Sequence, residues 1–142
     1  MKQRTSLVLT LVLVLALCLM LVACGETPPP AESLWDSATY TADATVGEGA
    51  RTVTLRVEAG ERAVTLTVKT DEDTLGEALY ALGLINDPSF FDTVCGMRAD
   101  FDATGAYWAF YIDGDYATVG VADAGITGGE SFALVYTVYT AP

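Results

Sequence analysis

The chain has 142 residues, of which 7 are lysine or arginine, 19 are aspartate or glutamate and none is histidine. A formal net charge of −12 repels the phosphates of nucleic acid, so the composition excludes nucleic acid as a partner. Without histidine the chain cannot form the Cys-His or Ser-His-Asp arrangements of nucleophilic enzymes, or the usual zinc sites. We therefore expect a single folded domain and not an enzyme.

The N terminus has the pattern of a bacterial lipoprotein signal. A short basic region at residues 1–4 precedes an apolar run from Ser6 to Ala23, as in secretory signal peptides. Leu21-Val22-Ala23-Cys24 is similar to the lipobox, so residues 1–23 are predicted to be removed and Cys24 to carry the lipid. Two acyl chains on Cys24 would give stable anchoring on the outer side of the cell membrane. An uncleaved membrane span that ends at Cys24 is the alternative.

Residues 24–36 have the composition of a linker. Pro28, Pro29 and Pro30 favour an extended, semi-rigid spacer. We expect this spacer to hold one folded domain, residues 37–142, clear of the membrane. Within the domain, Ala38 to Thr41 is predicted to form a short edge strand.

The mature chain is predicted to contain no disulfide. Cys18 lies in the signal and Cys24 takes the lipid, so Cys95 is left without a partner. We expect Cys95 to be a small buried hydrophobic residue.

Two segments with strict alternation of apolar and polar residues begin the domain. They are predicted to pair as an antiparallel hairpin with one buried face, because every second side chain points to the same side of a strand. The apolar positions of the pair are Val53, Leu55, Val57, Val64, Leu66 and Val68.

A helix is predicted to follow this hairpin. Thr74 and Glu77 have the spacing of a capping box, and Gly83 is the expected C-terminal stop. The acidic residues 71–73 would stabilise the positive end of the helix dipole, which we favour over a metal site.

The segment after the helix is irregular. Phe90, Val94 and Met97 are apolar enough to predict a strand or a packed loop. Asp100 to Gly105 resembles the start of a calcium loop, but its twelfth position is Tyr111 where such a loop needs glutamate. We therefore predict an acidic turn there and not a calcium site.

Asp113-Gly114 predicts a tight type I′ turn at the centre of a second hairpin, Tyr107 to Gly120. Pairing around a two-residue loop sorts the side chains into two faces. The predicted buried face consists of Trp108, Phe110, Ala117 and Val119. The predicted outer face consists of Tyr107, Tyr111, Tyr116 and Thr118.

A final strand is predicted from Ser131 to Thr140. The order of elements predicts an α+β fold, a β-grasp-like mixed sheet with one packed helix and the last strand in a central position.

Several short motifs resemble the transcobalamin-like C-terminal domain family, over about Arg51 to Thr140. They are residues 74–79 with 82–84, Tyr107-Trp108, residues 111–114, Gly120-Val121 and residues 128–130. The resemblance implies a bacterial surface lipoprotein whose domain is similar to the one that closes over cobalamin in the animal carriers. Cobalamin, as a bound ligand, is the only cofactor it implies.

Two functions follow from these predictions. In the first, Tyr107, Tyr111 and Tyr116 bind cobalamin, another corrinoid or a similar flat small molecule, alone or with a surface partner protein that completes the site. In the second, the tyrosine face is a structural or adhesive surface that contacts another protein.

We expect Cys24→Ala to abolish lipid labelling and to move the protein from the membrane to the medium or to an unprocessed form. Metabolic labelling with a fatty acid, followed by fractionation, measures both effects. Cys18→Ala is the matched control and should be labelled normally. Unchanged labelling of Cys24→Ala would contradict the lipoprotein prediction.

Overall fold

The computed structural model describes residues 27–142. The predicted signal, residues 1–23, and the predicted lipidation site Cys24 lie outside the described residues. Within residues 27–142, no helix is both long enough and apolar enough to cross a membrane.

Eight strands and three short helices follow one another along the described part of the chain. In chain order they are α1 (Ala31–Leu34), a 3-10 turn (Trp35–Ser37), β1 (Ala44–Gly47), β2 (Arg51–Ala59), β3 (Arg62–Thr70), α2 (Leu75–Ala81), β4 (Thr93–Val94), β5 (Met97–Arg98), α3 (Phe101–Thr104), β6 (Ala106–Ile112), β7 (Asp115–Tyr116), a second 3-10 turn (Val121–Asp123) and β8 (Ser131–Val138).

Six of the strands form one mixed sheet in the order β1-β3-β2-β8-β6-β7. Strand β2 pairs antiparallel with β3, as predicted, and parallel with β8. Strand β8 also pairs antiparallel with β6, so the last strand lies inside the sheet. Strands β4 and β5 form a separate small hairpin. The predicted α+β class and the interior position of the last strand are confirmed.

The hydrophobic core lies on the face of the sheet that carries the predicted apolar positions of β2 and β3, all of them buried. Helix α2 packs on the core through Leu75, Ala78 and Leu79. A Cβ at Gly76 would lie 2.9 Å from Cα of Ala122, so glycine lets α2 approach the second 3-10 turn closely.

Helix α2 begins after Thr74 and ends before Gly83, as predicted, and of the two hydrogen bonds of a capping box only the one from the Glu77 amide to Thr74 is formed. The backbone N–H of Glu77 donates to Thr74 Oγ1 at 3.4 Å, and the Thr74 hydroxyl donates back to the Glu77 carboxylate at 3.1 Å. Gly83, with φ of +68°, takes the left-handed conformation just after the helix.

The predicted edge strand at Ala38–Thr41 is wrong, since the edge strand is β1, which pairs parallel with β3. The reason is a competing contact. The backbone N–H of Thr39 donates to Cys95 O at 2.7 Å, which holds this segment against the β4–β5 turn.

The second hairpin is shorter than predicted. Asp113 and Gly114 have φ of 49° and 92°, as a type I′ turn requires, and Tyr111 pairs with Tyr116. Strand β7 ends there, so the predicted pairing of residues 118–120 is wrong. Val119, predicted to be buried, is 45% exposed.

Trp108 and Phe110 are buried, as predicted, at 7% and 8% exposure. Trp108 pairs with Tyr136 of β8, and Phe110 has neighbours on both sides, because it pairs with Leu134 and its carbonyl oxygen accepts from the backbone N–H of Ala117 at 2.9 Å. Ala117 packs against the core, as predicted, whereas residues 118–120 are exposed.

The packed structure begins inside the predicted linker, because Leu34 and Trp35 are buried. The indole N–H of Trp35 donates to Ala59 O at 3.0 Å, and the Arg62 guanidinium lies 4.6 Å from the ring centre. The part of the chain that packs as a domain therefore starts before residue 37.

We expect Trp35→Ala to lower the free energy of unfolding by about 3–5 kcal/mol, because a buried aromatic ring and its hydrogen bond are lost. Equilibrium denaturation of the full chain measures this. Phe90→Ala is the matched control, since Phe90 is 92% exposed and its loss should change stability by about 0.5 kcal/mol or less. Equal, small effects would show that residues 31–37 are not part of the folded domain.

Candidate functional site

A groove of about 400 Å³ lies along the outer side of β6, between that strand, α3 and the segment around the β4–β5 hairpin. Its lining is unusually aromatic for an open surface. The aromatic residues are Phe90, Phe91, Phe101, Tyr107 and Trp108, and the charged residues are Asp92, Arg98, Asp100 and Asp102.

Four of the five aromatic side chains are at least partly accessible, and one of these, Phe91, packs against the core. Phe90 is 92% exposed, Phe101 is 58% exposed and Tyr107 is half-buried. The rings of Phe101 and Tyr107 meet edge to face, with centroids 6.4 Å apart. Large apolar rings that cluster at the surface mark a contact site more often than scattered single residues do.

The loop that carries Phe90 is held in place by side-chain hydrogen bonds. Asp87 Oδ1 accepts from the backbone N–H of Phe90 at 2.8 Å. Asn86 Oδ1 accepts from the backbone N–H groups of Asp92 and Thr93 at 3.2 and 3.1 Å, and its Nδ2 donates to Asp92 Oδ1 at 2.9 Å. The exposed ring is therefore presented by a constrained loop, which reduces the ordering cost of binding.

Trp108 joins this loop to the sheet. Its indole N–H donates to Asp92 O at 3.1 Å, and the backbone N–H of Ala99 donates to the same oxygen at 2.8 Å. On the other side, the Trp108 ring meets Tyr136 edge to face at 5.7 Å. The buried indole thus fixes the position of the groove wall relative to β6.

Arg98 lies between two carboxylates in the groove. Its Nε is 2.9 Å from Asp92 Oδ2, and Nη2 is 3.4 Å from Asp100 Oδ2. Asp100 also caps α3, because its Oδ1 accepts from the backbone N–H of Ala103 at 3.0 Å. Hydrogen bonds from Thr93 and from Arg98 lower the pKa of the Asp92 carboxyl group.

The three tyrosines predicted to bind ligand lie in two places. Tyr107 lines the groove. Tyr111 and Tyr116 meet edge to face near the hairpin tip, with centroids 5.4 Å apart, and Tyr116 is 61% exposed. Tyr107 and Tyr111 share a face of β6 but lie about 13 Å apart at roughly 3.3 Å per residue.

The groove contains residues that the sequence analysis did not assign to a site. Phe90 was predicted to pack, and that prediction is wrong because Asp87 and Asn86 hold the loop outward. Phe101 lies in the segment Asp100 to Gly105, which the sequence analysis compared with a calcium loop and predicted to be an acidic turn. The available signal was the turn-forming sequence Asn86-Asp87-Pro88-Ser89 directly before two phenylalanines.

The other candidate groups have structural roles. Asp100 to Gly105 forms the single turn α3, with Gly105 at φ of 72° as its stop. Among residues 27–142, no group of three or more acidic or cysteine side chains is placed to hold a metal ion. Cys95 is buried, and desolvation raises the pKa of its thiol to about 11, so the thiol is protonated at neutral pH.

No protein-family model and no curated protein matches the chain. Solved structures do match. One is a candidate metal-binding protein from Ruminococcus gnavus ATCC 29149, 22% identical with a TM-score of 0.59, covering 64% of this chain and all of the other. Another is haptocorrin in complex with Cbi, 14% identical with a TM-score of 0.48, covering 63% of this chain and 25% of haptocorrin. The first likeness shows a shared fold, and membership of the transcobalamin-like family stays a prediction.

We expect the contribution of Asp92 to stability to depend on pH. Its folded-state pKa is lowered below 3.8, so the carboxylate stabilises the folded state above that value, and this stabilisation is lost as the pH falls through the folded-state pKa. The difference in unfolding free energy between the wild type and Asp92→Asn should be largest near neutral pH and shrink below pH 3.8. Denaturation over a pH series measures it. A difference that stays constant with pH would contradict the role of the ionised Asp92.

Proposed function

We propose that the protein is a lipid-anchored binding module on the outer side of a bacterial membrane, and that it captures a flat, partly apolar small molecule in the groove beside β6. Cobalamin or another corrinoid is the ligand implied by the family resemblance and is the first to test. The observation that carries the proposal is the set of accessible rings, Phe90, Phe101 and Tyr107, held around one groove.

The energetics of the rings support a site that uses both phenylalanines. Full burial of one phenylalanine side chain contributes about 1.5–3 kcal/mol. A millimolar dissociation constant corresponds to about 4 kcal/mol. A single ring therefore does not hold a ligand, whereas Phe90 and Phe101 together can, provided that the ligand is wide enough to cover both.

The size of the groove favours a shared site. A volume of about 400 Å³ is near the lower end of the range for small-molecule pockets, roughly 300–1,000 Å³. A ligand as large as a corrinoid would be held along one edge or face only. A partner protein on the same membrane surface would cover the rest of the ligand. This agrees with the family resemblance, because in the animal carriers the similar domain closes over cobalamin and forms only one part of the binding site.

We propose that binding involves no covalent chemistry. The chain offers no histidine as a base, and the thiol of Cys95 is buried and protonated at neutral pH. These features support a carrier or capture function.

A structural or adhesive function is the second candidate, and the hairpin tip favours it. Tyr111 and Tyr116 form an edge-to-face aromatic pair, and Tyr116 is mostly exposed. Tyrosine gives a large contact area at low conformational cost, which suits contacts with another protein.

Calorimetric titration of the detergent-solubilised full chain with a panel of corrinoids tests the first function. We expect the double variant Phe90→Ala with Phe101→Ala to weaken binding at least roughly tenfold, because two rings lose their contact with the ligand. Tyr111→Ala with Tyr116→Ala is the matched control, since it removes two rings from the hairpin tip and should leave affinity unchanged.

The outcomes separate the two sites. Loss of corrinoid binding in the tyrosine variant alone would move the site to the hairpin tip. Full binding in both variants would contradict a site at either place. Both variants should keep the folded state, because each removes rings that are exposed or half-buried.

A further inference from the structure

The lining of the groove carries a net negative charge. Three carboxylates, of Asp92, Asp100 and Asp102, face one guanidinium, that of Arg98, which leaves a net charge of −2 on the lining. The whole chain has the same sign, with a formal net charge of −12.

The four charged groups are not equivalent. Arg98 is engaged by Asp92 and Asp100, and both of those carboxylates also form hydrogen bonds that shape the groove wall. Asp102 is exposed, and the two carboxylates that pair with Arg98 are those of Asp92 and Asp100 and not that of Asp102. Asp102 is therefore the carboxylate that is free for a ligand, and it directly follows the accessible ring of Phe101.

We propose that the groove selects an organic cation, a flat ring system that carries a quaternary or protonated nitrogen. The rings of Phe90, Phe101 and Tyr107 would contact its face, and the carboxylate of Asp102 would act as its counter-ion. This inference rests on the proposed function and names the ligand class of the same groove.

Two physical effects act in the same direction. The face of an aromatic ring is electrostatically negative, so each exposed contact with a cation adds roughly a two- to fivefold factor in affinity. The negative field of the protein also raises the local concentration of cations. A neutral ligand of the same shape would gain from neither effect.

Anionic ligands and bare metal ions fit less well. An anion would need Arg98, whose guanidinium is already shared by two carboxylates. A metal ion would need several free carboxylate or carbonyl oxygens, whereas Asp92 and Asp100 are committed and the rings offer only the neutral hydroxyl of Tyr107. An aromatic cation uses both the rings and the free carboxylate.

A pair of probes with closely similar shape tests the proposal: 1-methylquinolinium, a permanent cation, and quinoline, which is neutral at neutral pH. Calorimetric titration of the detergent-solubilised full chain should show the cation binding at least roughly tenfold more tightly, with a preference that falls as salt is added. Asp102→Asn should remove most of that preference. Glu48→Gln is the matched control, because Glu48 is an exposed acid in the loop between β1 and β2 at the opposite edge of the sheet.

The results distinguish this inference from the proposed function. Equal affinity for the two probes would overturn the cation preference and leave the groove as a binding site. Binding of a corrinoid without binding of either probe would also overturn the cation preference alone. Absence of binding by every compound, corrinoids included, would overturn both. A cation preference that Asp102→Asn and Glu48→Gln preserve equally would overturn the role of Asp102.

Discussion

Strand β8 determines the arrangement of the rest of the sheet, because it pairs parallel with β2 on one side and antiparallel with β6 on the other. This position makes the apolar face of the sheet continuous from β2 to β6. It also makes β6 the outermost long strand on that side of the sheet. Strand β7 then pairs with only two residues of β6, Tyr111 and Ile112. The outer side of β6 between Ala106 and Ala109 is left without a strand neighbour, and the groove forms there. The site is thus a consequence of the order of strands.

Asp92 connects the fold to the surface chemistry. Its backbone oxygen accepts from the indole of Trp108 and from the amide of Ala99, while its carboxylate binds Arg98 and Asn86. Asp92 therefore attaches the groove wall to the sheet through its backbone oxygen and pairs with the Arg98 guanidinium through its carboxylate. The accessible rings of the groove therefore lie on a surface that these hydrogen bonds constrain, which would lower the conformational-entropy cost of the proposed binding.

Local patterns in the sequence were sufficient for β2, β3, the capping of α2 and the turn at Asp113-Gly114, because neighbouring residues determine these elements. Long-range contacts decided the remainder. Trp35 is in the core because its indole reaches Ala59, which a proline-rich composition does not indicate. Phe90 is exposed because Asn86 and Asp87 hold its loop, although an apolar residue in such a segment normally packs. The groove could not be predicted, since it joins Tyr107 to residues whose positions depend on these contacts.

The segment that follows the predicted linker also supports the groove. The backbone N–H of Thr39 donates to Cys95 O, and a Cβ on Gly96 would clash with the Ser37 carbonyl oxygen, so residues 37–39 pack directly on the β4–β5 turn. Strand β5 carries Arg98 into the groove. Because Trp35, just before this segment, is buried in the core, the end of the linker and the groove wall belong to one packed unit. The contacts that attach the domain to its linker are therefore among those that set the shape of the groove.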